Sequence, residues 1–393
     1  MALGRLISIP LQQLEAIFSE SWSALRRSSR YRDVPALEPS VGLIGEALLD
    51  RTFTNFTSVM TGVPLPETVR RMLADIIEAR DFYDHHGWLA SPEGYHRDPP
   101  PLAEVEIRNG SAWSGPRRLR YQSLRFESGW EPHPGEPGRE RWLAHPTNGT
   151  AHAYVLEHPE PRPWLVCVHG FGMGSPMVNF SAFQSVLLHR RLGLNLIFPV
   201  LPLHGPRGVA RFSGGEVFNP DYMRMVHLFA QAAWDVRRII SWVRARGAEQ
   251  VGLYGISLGG YVAALVASLE DGLDCAIAGI PAVDFPNLAR DNEPWVMRRY
   301  DDEFDLDWRL IRAISHVVSP LALTPRVPRD KCFIYAGIAD RVVRPDQPRA
   351  LWRHWGHPEI HWFSGGHVLG IFNGSVGPFL ERCLTDVGMA RAA

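Results

Sequence analysis

Between residues 163 and 363 the chain repeatedly sets a short apolar run before a segment of helical length. The runs are Pro163-Trp-Leu-Val-Cys-Val168, 194–199, Gln250-Val-Gly-Leu-Tyr254, 274–280, 331–336 and 359–363. Apolar runs without alternation read as strands buried on both faces, and the intervening helices act as crossovers between them. The pattern predicts an α/β architecture: a mostly parallel sheet with helices on both faces. In such sheets ligand chemistry gathers beyond the carboxyl ends of the strands.

One of these strand ends carries Gly255-Ile256-Ser257-Leu258-Gly259, followed by the helical run Gly260-Tyr-Val-Ala-Ala-Leu-Val-Ala-Ser-Leu269. A G-x-S-x-G pentapeptide between strand and helix describes a nucleophile elbow. The serine sits on a tight turn that lifts its hydroxyl clear of the sheet. Neighbouring chain passes too close for side chains two residues either side, so those positions favour Gly. The following helix aims its first amides at the same place.

A serine hydroxyl needs a general base, and the base needs an orienting acid. His367 is the best base, because it follows a strand and the Gly365-Gly366 pair. His354, His357 and His361 compete, the first two near a helix end and the third within a strand. Asp340 is the best acid, at the end of Cys332-Phe-Ile-Tyr-Ala-Gly337. The interval to His367 leaves room for one helix at 348–355 and one strand. Asp284, at the end of an earlier strand, is the rival acid, and Asp346 reads as a helix start. An oxyanion hole needs two backbone donors. The amide of Leu258 is one candidate. Phe171, in the loop His169-Gly170-Phe171-Gly172-Met173-Gly174 after the 163–168 strand, is the other. His169, Gly170, Gly172 and Met173 of that loop are candidates for substrate binding. So is His204 in Leu203-His204-Gly205-Pro206-Arg207, although a structural role suits His204 as well.

The chain order Ser257, Asp340, His367, with these loops, resembles the α/β-hydrolase family over roughly 115–385. The Gly337-Ile-Ala-Asp340-Arg-Val342 stretch is similar to the dienelactone hydrolase and prolyl oligopeptidase-like branches. The resemblance implies an eight-stranded, mostly parallel sheet and no metal or organic cofactor. It also implies hydrolysis of a small-molecule ester or thioester through a Ser257–His367–Asp340 triad and an acyl-enzyme. A peptidase or amidase is the alternative within the fold. A non-catalytic binding protein is the alternative outside it, since fold does not fix function.

The family core does not need residues 1–110. They read as a mainly helical extension, with helices expected over 11–27, 41–60 and 66–83 and a Pro-rich boundary at 91–101. The extension could cover the sheet edge, shape the pocket or make a homodimer contact. Strands are expected at 103–107, 119–126 and 151–156, and helices at 181–191 and 222–246. The catalytic domain is expected over 111–393, with a helical cap inserted at about 284–330. The cap contains Phe285, Trp295, Met297, Tyr300, Phe304 and Trp308.

A formal net charge of −1 gives no nucleic-acid footprint. No run is long and apolar enough to read as a membrane span or signal peptide. Cys167, Cys275, Cys332 and Cys383 lack metal-site spacing, and three lie in apolar runs. Free thiols in a reducing, cytoplasmic setting are therefore expected.

Overall fold

The computed structural model describes residues 31–37, 40–61, 65–217, 221–292 and 306–390. The helix expected over 11–27, the aromatics at 295–304 of the insertion and their neighbouring charges lie outside the described residues.

Nine strands form one sheet: β1 Glu106–Ser114, β2 Arg117–Glu127, β3 Thr150–Leu156, β4 Trp164–Val168, β5 Asn195–Val200, β6 Val251–Ile256, β7 Cys275–Gly279, β8 Cys332–Gly337 and β9 Glu359–Phe363. Their order is β1-β2-β3-β5-β4-β6-β7-β8-β9. β1, β2, β3 and β5 pair antiparallel in turn, and every pairing from β5 onward to β9 is parallel. The sheet therefore has one strand more than the eight expected. The extra strand is β1, which pairs across a tight hairpin with β2. The expectation of a strand at 103–107 is corrected to Glu106–Ser114. This edge strand is exposed on both sides along most of its length, so it lacks the apolar alternation that marks a half-buried strand.

β4 to β8 are buried throughout, which is why they read as unbroken apolar runs. Helices cover both faces. On one face lie α2 (Pro66–His85), α5 (Tyr222–Ala245), α6 (Leu258–Val266), α8 (Trp308–Ser315) and α9 (Asp346–His354). On the other lie α4 (Pro176–Ala182) and α10 (Val376–Asp386). The remaining helices among the described residues are α1 (Val41–Thr61), the short α3 (Arg139–Leu143) and α7 (Phe285–Asp291). Asp221 starts α5 by accepting the Arg224 amide at 3.2 Å, an N-cap that satisfies one open donor of the first turn.

The helix expected over 181–191 is broken. α4 ends at Ala182, Gln184 takes φ 48°, and a π-helical turn spans Val186–Arg191. The left-handed residue redirects the chain so that Phe183 and Leu188 are both buried on the sheet.

α2 buries Val69, Met72, Ile76, Ala79 and Tyr83 in the same cluster as α5. One core thus spans the Pro-rich stretch at 91–101. Within the insertion, α7 and α8 are helical, but the described aromatics face the core. Phe285 packs edge-on to Phe229 of α5 at 5.3 Å, and Trp308 packs edge-on to Tyr222 at 6.1 Å. No helix among the described residues is long and apolar enough to cross a membrane.

The chain leaves β4 toward β5 on one side and returns to β6 on the other. A crevice therefore opens above β4, where consecutive connections diverge. Val168 pairs with Gly255, so the loop after β4 and the turn after β6 begin side by side.

Candidate active site

Ser257 joins β6 to α6 with φ 57° and ψ −116°, a left-handed conformation that costs a non-glycine residue on the order of 1–3 kcal/mol. The surroundings hold it there. A Cβ on Gly255 would lie 2.0 Å from the Gly259 carbonyl oxygen, and one on Gly259 would lie 1.9 Å from that of Val168. Side chains at either position would force the turn apart. The Ser257 amide donates to the Gly279 carbonyl at 2.9 Å, which ties the turn to β7. The hydroxyl remains partly exposed at the head of α6.

Three residues distant in sequence meet here. Ser257 Oγ lies 2.9 Å from His367 Nε2, and His367 Nδ1 lies 2.6 Å from Asp340 Oδ2. The other carboxylate oxygen, Asp340 Oδ1, accepts the amides of Val342 at 2.9 Å and Val343 at 2.7 Å. Asp340 is 1% exposed, and burial raises its pKa against the opposing pull of His367 and the Val343 amide. Burial pulls the His367 imidazole down, but the Asp340 carboxylate and its hydrogen bond, with the charge of Asp50, outweigh that. His367 therefore stands above its ordinary value. A carboxylate on Nδ1 fixes the tautomer whose Nε2 can accept the serine proton.

The competing residues are engaged elsewhere. Asp284 caps α7, accepting the Asn287 amide at 3.1 Å, and pairs with Arg312 at 3.0 Å. His354 Nε2 bonds the Leu323 carbonyl, and His361 Nε2 bonds Ser375 Oγ. Asp346 is the first residue of α9.

The loop after β4 runs beside the serine. A Cβ on Gly170 would lie 3.4 Å from Ser257 Cβ, and the Gly170 amide donates to Met173 Sδ at 3.3 Å. Gly172 is exposed with φ 76°, and Met173 is half-buried. Phe171 packs edge-on to Phe53 of α1 at 6.1 Å and to Phe212 at 6.3 Å.

Two substrate-binding candidates are corrected. His169 and His204 are both 0% exposed. His169 Nδ1 donates to the Gly170 carbonyl, and its Nε2 accepts the Leu201 amide at 3.1 Å. His204 Nδ1 donates to the Pro202 carbonyl at 2.9 Å. Burial brings their pKa values down to about 3 and about 4, so both are neutral rings that brace loops rather than face a ligand.

The helix expected over 41–60 is present as α1, but its part in the site was not foreseen. Its Asp50 and Glu46 accept backbone amides from the loops carrying Asp340 and His367. A signal was present: two acids four residues apart in a helix that otherwise carries only Arg51 as a charge. The four cysteines are free and buried. Burial pushes the Cys275 and Cys332 thiols up to about 12, so they are not nucleophiles at neutral pH. No cluster among the described residues could hold a metal ion.

An open, mostly parallel sheet of this order, a strained serine after β6 and a histidine after the last strand define the α/β-hydrolase fold. Acetyl xylan esterase 1 from Thermoanaerobacterium superposes with a TM-score of 0.52 at 15% identity, over 77% of this chain and 93% of that one. No protein-family model matches the chain. It is 41% identical over 361 residues to the uncharacterized protein Rv2627c of Mycobacterium tuberculosis, covering 91% of this chain and 86% of that protein. The uncharacterized protein MT2702, from a second strain of the same organism, matches at the same identity and coverage. The chain belongs to the family of these mycobacterial proteins.

Proposed function

We propose that the protein is a serine hydrolase that cleaves a small-molecule carboxylic ester or thioester through an acyl-enzyme. The observation that carries this reading is the continuous hydrogen-bonded run from Ser257 through His367 to Asp340, on a strained turn at a strand end. Ser257 Oγ attacks the carbonyl carbon while His367 Nε2 takes its proton. The amides of Leu258, at the head of α6, and Phe171 stabilise the oxyanion. The imidazolium, steadied by Asp340, then protonates the departing alcohol or thiol. A water molecule, deprotonated by His367, attacks the acyl carbon, and Ser257 leaves with the returned proton.

The test is labelling of the full chain by a fluorophosphonate probe. Wild type is expected to label at one residue, and Ser257→Ala is expected to lose labelling completely while folding normally. Labelling that survived in the variant would place the nucleophile elsewhere. A folded wild type that never labelled would favour a binding protein on the hydrolase fold. Ester and thioester turnover is expected to exceed that of matched amides, and comparable amide turnover would move the reading to an amidase. Because the base must be neutral, the acid limb of reactivity is expected above the ordinary histidine value of about 6.5. A limb at or below that value would contradict the charge environment of His367.

A further inference from the structure

We propose that Asp50, on α1, is a positioning residue of this site, holding the acid loop and the base loop together through a single buried carboxylate. The inference rests on the reading of Ser257, His367 and Asp340 as the reacting set. Asp50 is 1% exposed although it lies on a helix the hydrolase core does not need. Its Oδ2 accepts the His367 amide at 2.8 Å and the Arg341 amide at 3.0 Å. Its Oδ1 accepts the Val368 amide at 3.0 Å. Arg341 directly follows the acid, and His367 is the base itself. One helix turn earlier, Glu46 Oε2 accepts the Gly366 amide at 2.7 Å.

The amides of 341, 366, 367 and 368 leave the ends of β8 and β9, where no further strand takes them up. A buried amide without an acceptor is costly, and a buried carboxylate without donors costs more. α1 resolves both at once. The contact also explains the glycine before the base. A Cβ on Gly366 would lie 2.9 Å from Asp50 Oδ2, so a side chain there would push the carboxylate out of this position. α1 is seated independently by Leu43 and Ile44 against Ala339 of the acid loop, and by Phe53 against Phe171 of the loop after β4. The residues at 46, 50 and 53 share one helix face, and each meets a different part of the site.

Asp50 thus does two things. It sets the distance between His367 and Asp340, and it adds negative charge near the imidazole. The ionisable groups around His367 are Asp340 and Arg341 on the loop after β8, and Asp50 and Glu46 on α1. Ser257 faces it from the elbow. Removing the charge of Asp50 favours the neutral ring, so the pKa of His367 falls.

The test uses full-length wild type, Asp50→Asn and Asp50→Glu. It reads fluorophosphonate labelling rate against pH, and the NMR titration of the His367 ring, assigned by its loss in His367→Gln. Asp50→Asn is expected to label about 10- to 100-fold more slowly and to lower the His367 pKa by about one unit. Asp50→Glu keeps the charge but misplaces it. It is expected to label slowly with a nearly unchanged titration, and it keeps the test decisive if Asp50→Asn does not fold. A purely structural role would lower the yield of folded protein and leave the rate and titration of the folded fraction alone. Wild-type rate and titration in both folded variants would overturn the proposal. If wild type itself does not label, the hydrolase reading fails, and the His367 titration still decides the role of Asp50.

Discussion

Asp340→Asn is expected to slow acylation of Ser257 by about 10⁴-fold while leaving the fold and substrate binding nearly intact. The size follows from how the carboxylate is held. Its Oδ1 accepts two amides, from Val342 and Val343, and its Oδ2 accepts His367 Nδ1–H. An asparagine side chain has one acceptor and one donor end. The two amides demand the acceptor, so the NH₂ group is turned toward His367. The imidazole must then present a lone pair at Nδ1 and carry its proton on Nε2, where it cannot receive one from Ser257. The orientation survives and the tautomer is wrong. Single-turnover acylation by an activated ester would measure the loss. Asp284→Asn is the matched control. Asparagine still caps α7 and gives up only the charge pairing with half-exposed Arg312, so the variant is expected to cost at most about 1 kcal/mol of stability and no more than a small change in rate. If the two variants exchanged these behaviours, Asp284 would be the acid.

What could be read from the sequence was what is local. Gly255, Ser257 and Gly259 announce a turn because the crowding that demands glycine comes from the turn itself and from adjacent β4. Asp340 and His367 stood out because each follows an apolar strand, and the strands are apolar because helices cover both faces. β1 was displaced because an edge strand exposed on both sides carries no alternation. The break at Gln184 was invisible because Phe180, Phe183 and Leu188 keep helical spacing across it. The role of α1 was out of reach for a different reason. Asp50 meets His367 across 317 residues of chain, and nothing near either residue names the other. The burial of His169 and His204 is likewise tertiary. A glycine-rich loop and a strand end suggested access, yet main-chain groups of the loops take up His169 at both ring nitrogens and His204 at Nδ1.

Arg207→Met is expected to destabilise the protein by about 3–5 kcal/mol, more at pH 8 than at pH 5. Arg207 is 0% exposed. Its Nη1 donates to Asp235 Oδ2 at 2.8 Å and to the Val200 carbonyl at 3.0 Å, and its Nη2 donates to the Asn148 carbonyl at 2.7 Å. The network continues outward. Asp235 Oδ1 accepts Ser128 Oγ at 2.6 Å, Gln231 Nε2 donates to Ser128 Oγ and to the Asn148 carbonyl, and Trp142 Nε1 donates to Gln231 Oε1. One guanidinium thus joins the end of β5, the turn before β3 and the middle of α5, and through Asp235 it reaches Ser128 at the end of β2. Without it, Asp235 is a buried carboxylate with no cation hydrogen-bonded to it. Burial already pushes its pKa up, and loss of Arg207 pushes it further. A carboxyl whose folded pKa exceeds its unfolded value binds its proton more tightly when folded. Stability in the variant therefore falls as pH rises from the unfolded toward the folded pKa, which sets the direction of the pH dependence. Urea unfolding at the two pH values would measure it. Adding Asp235→Leu is expected to recover much of the loss, since the second change removes the stranded charge. A double variant no more stable than Arg207→Met would show that Arg207 acts through the carbonyls of Asn148 and Val200 instead. The same segment holds Leu201, whose amide braces His169, so loosening it is also expected to loosen the loop that passes beside Ser257.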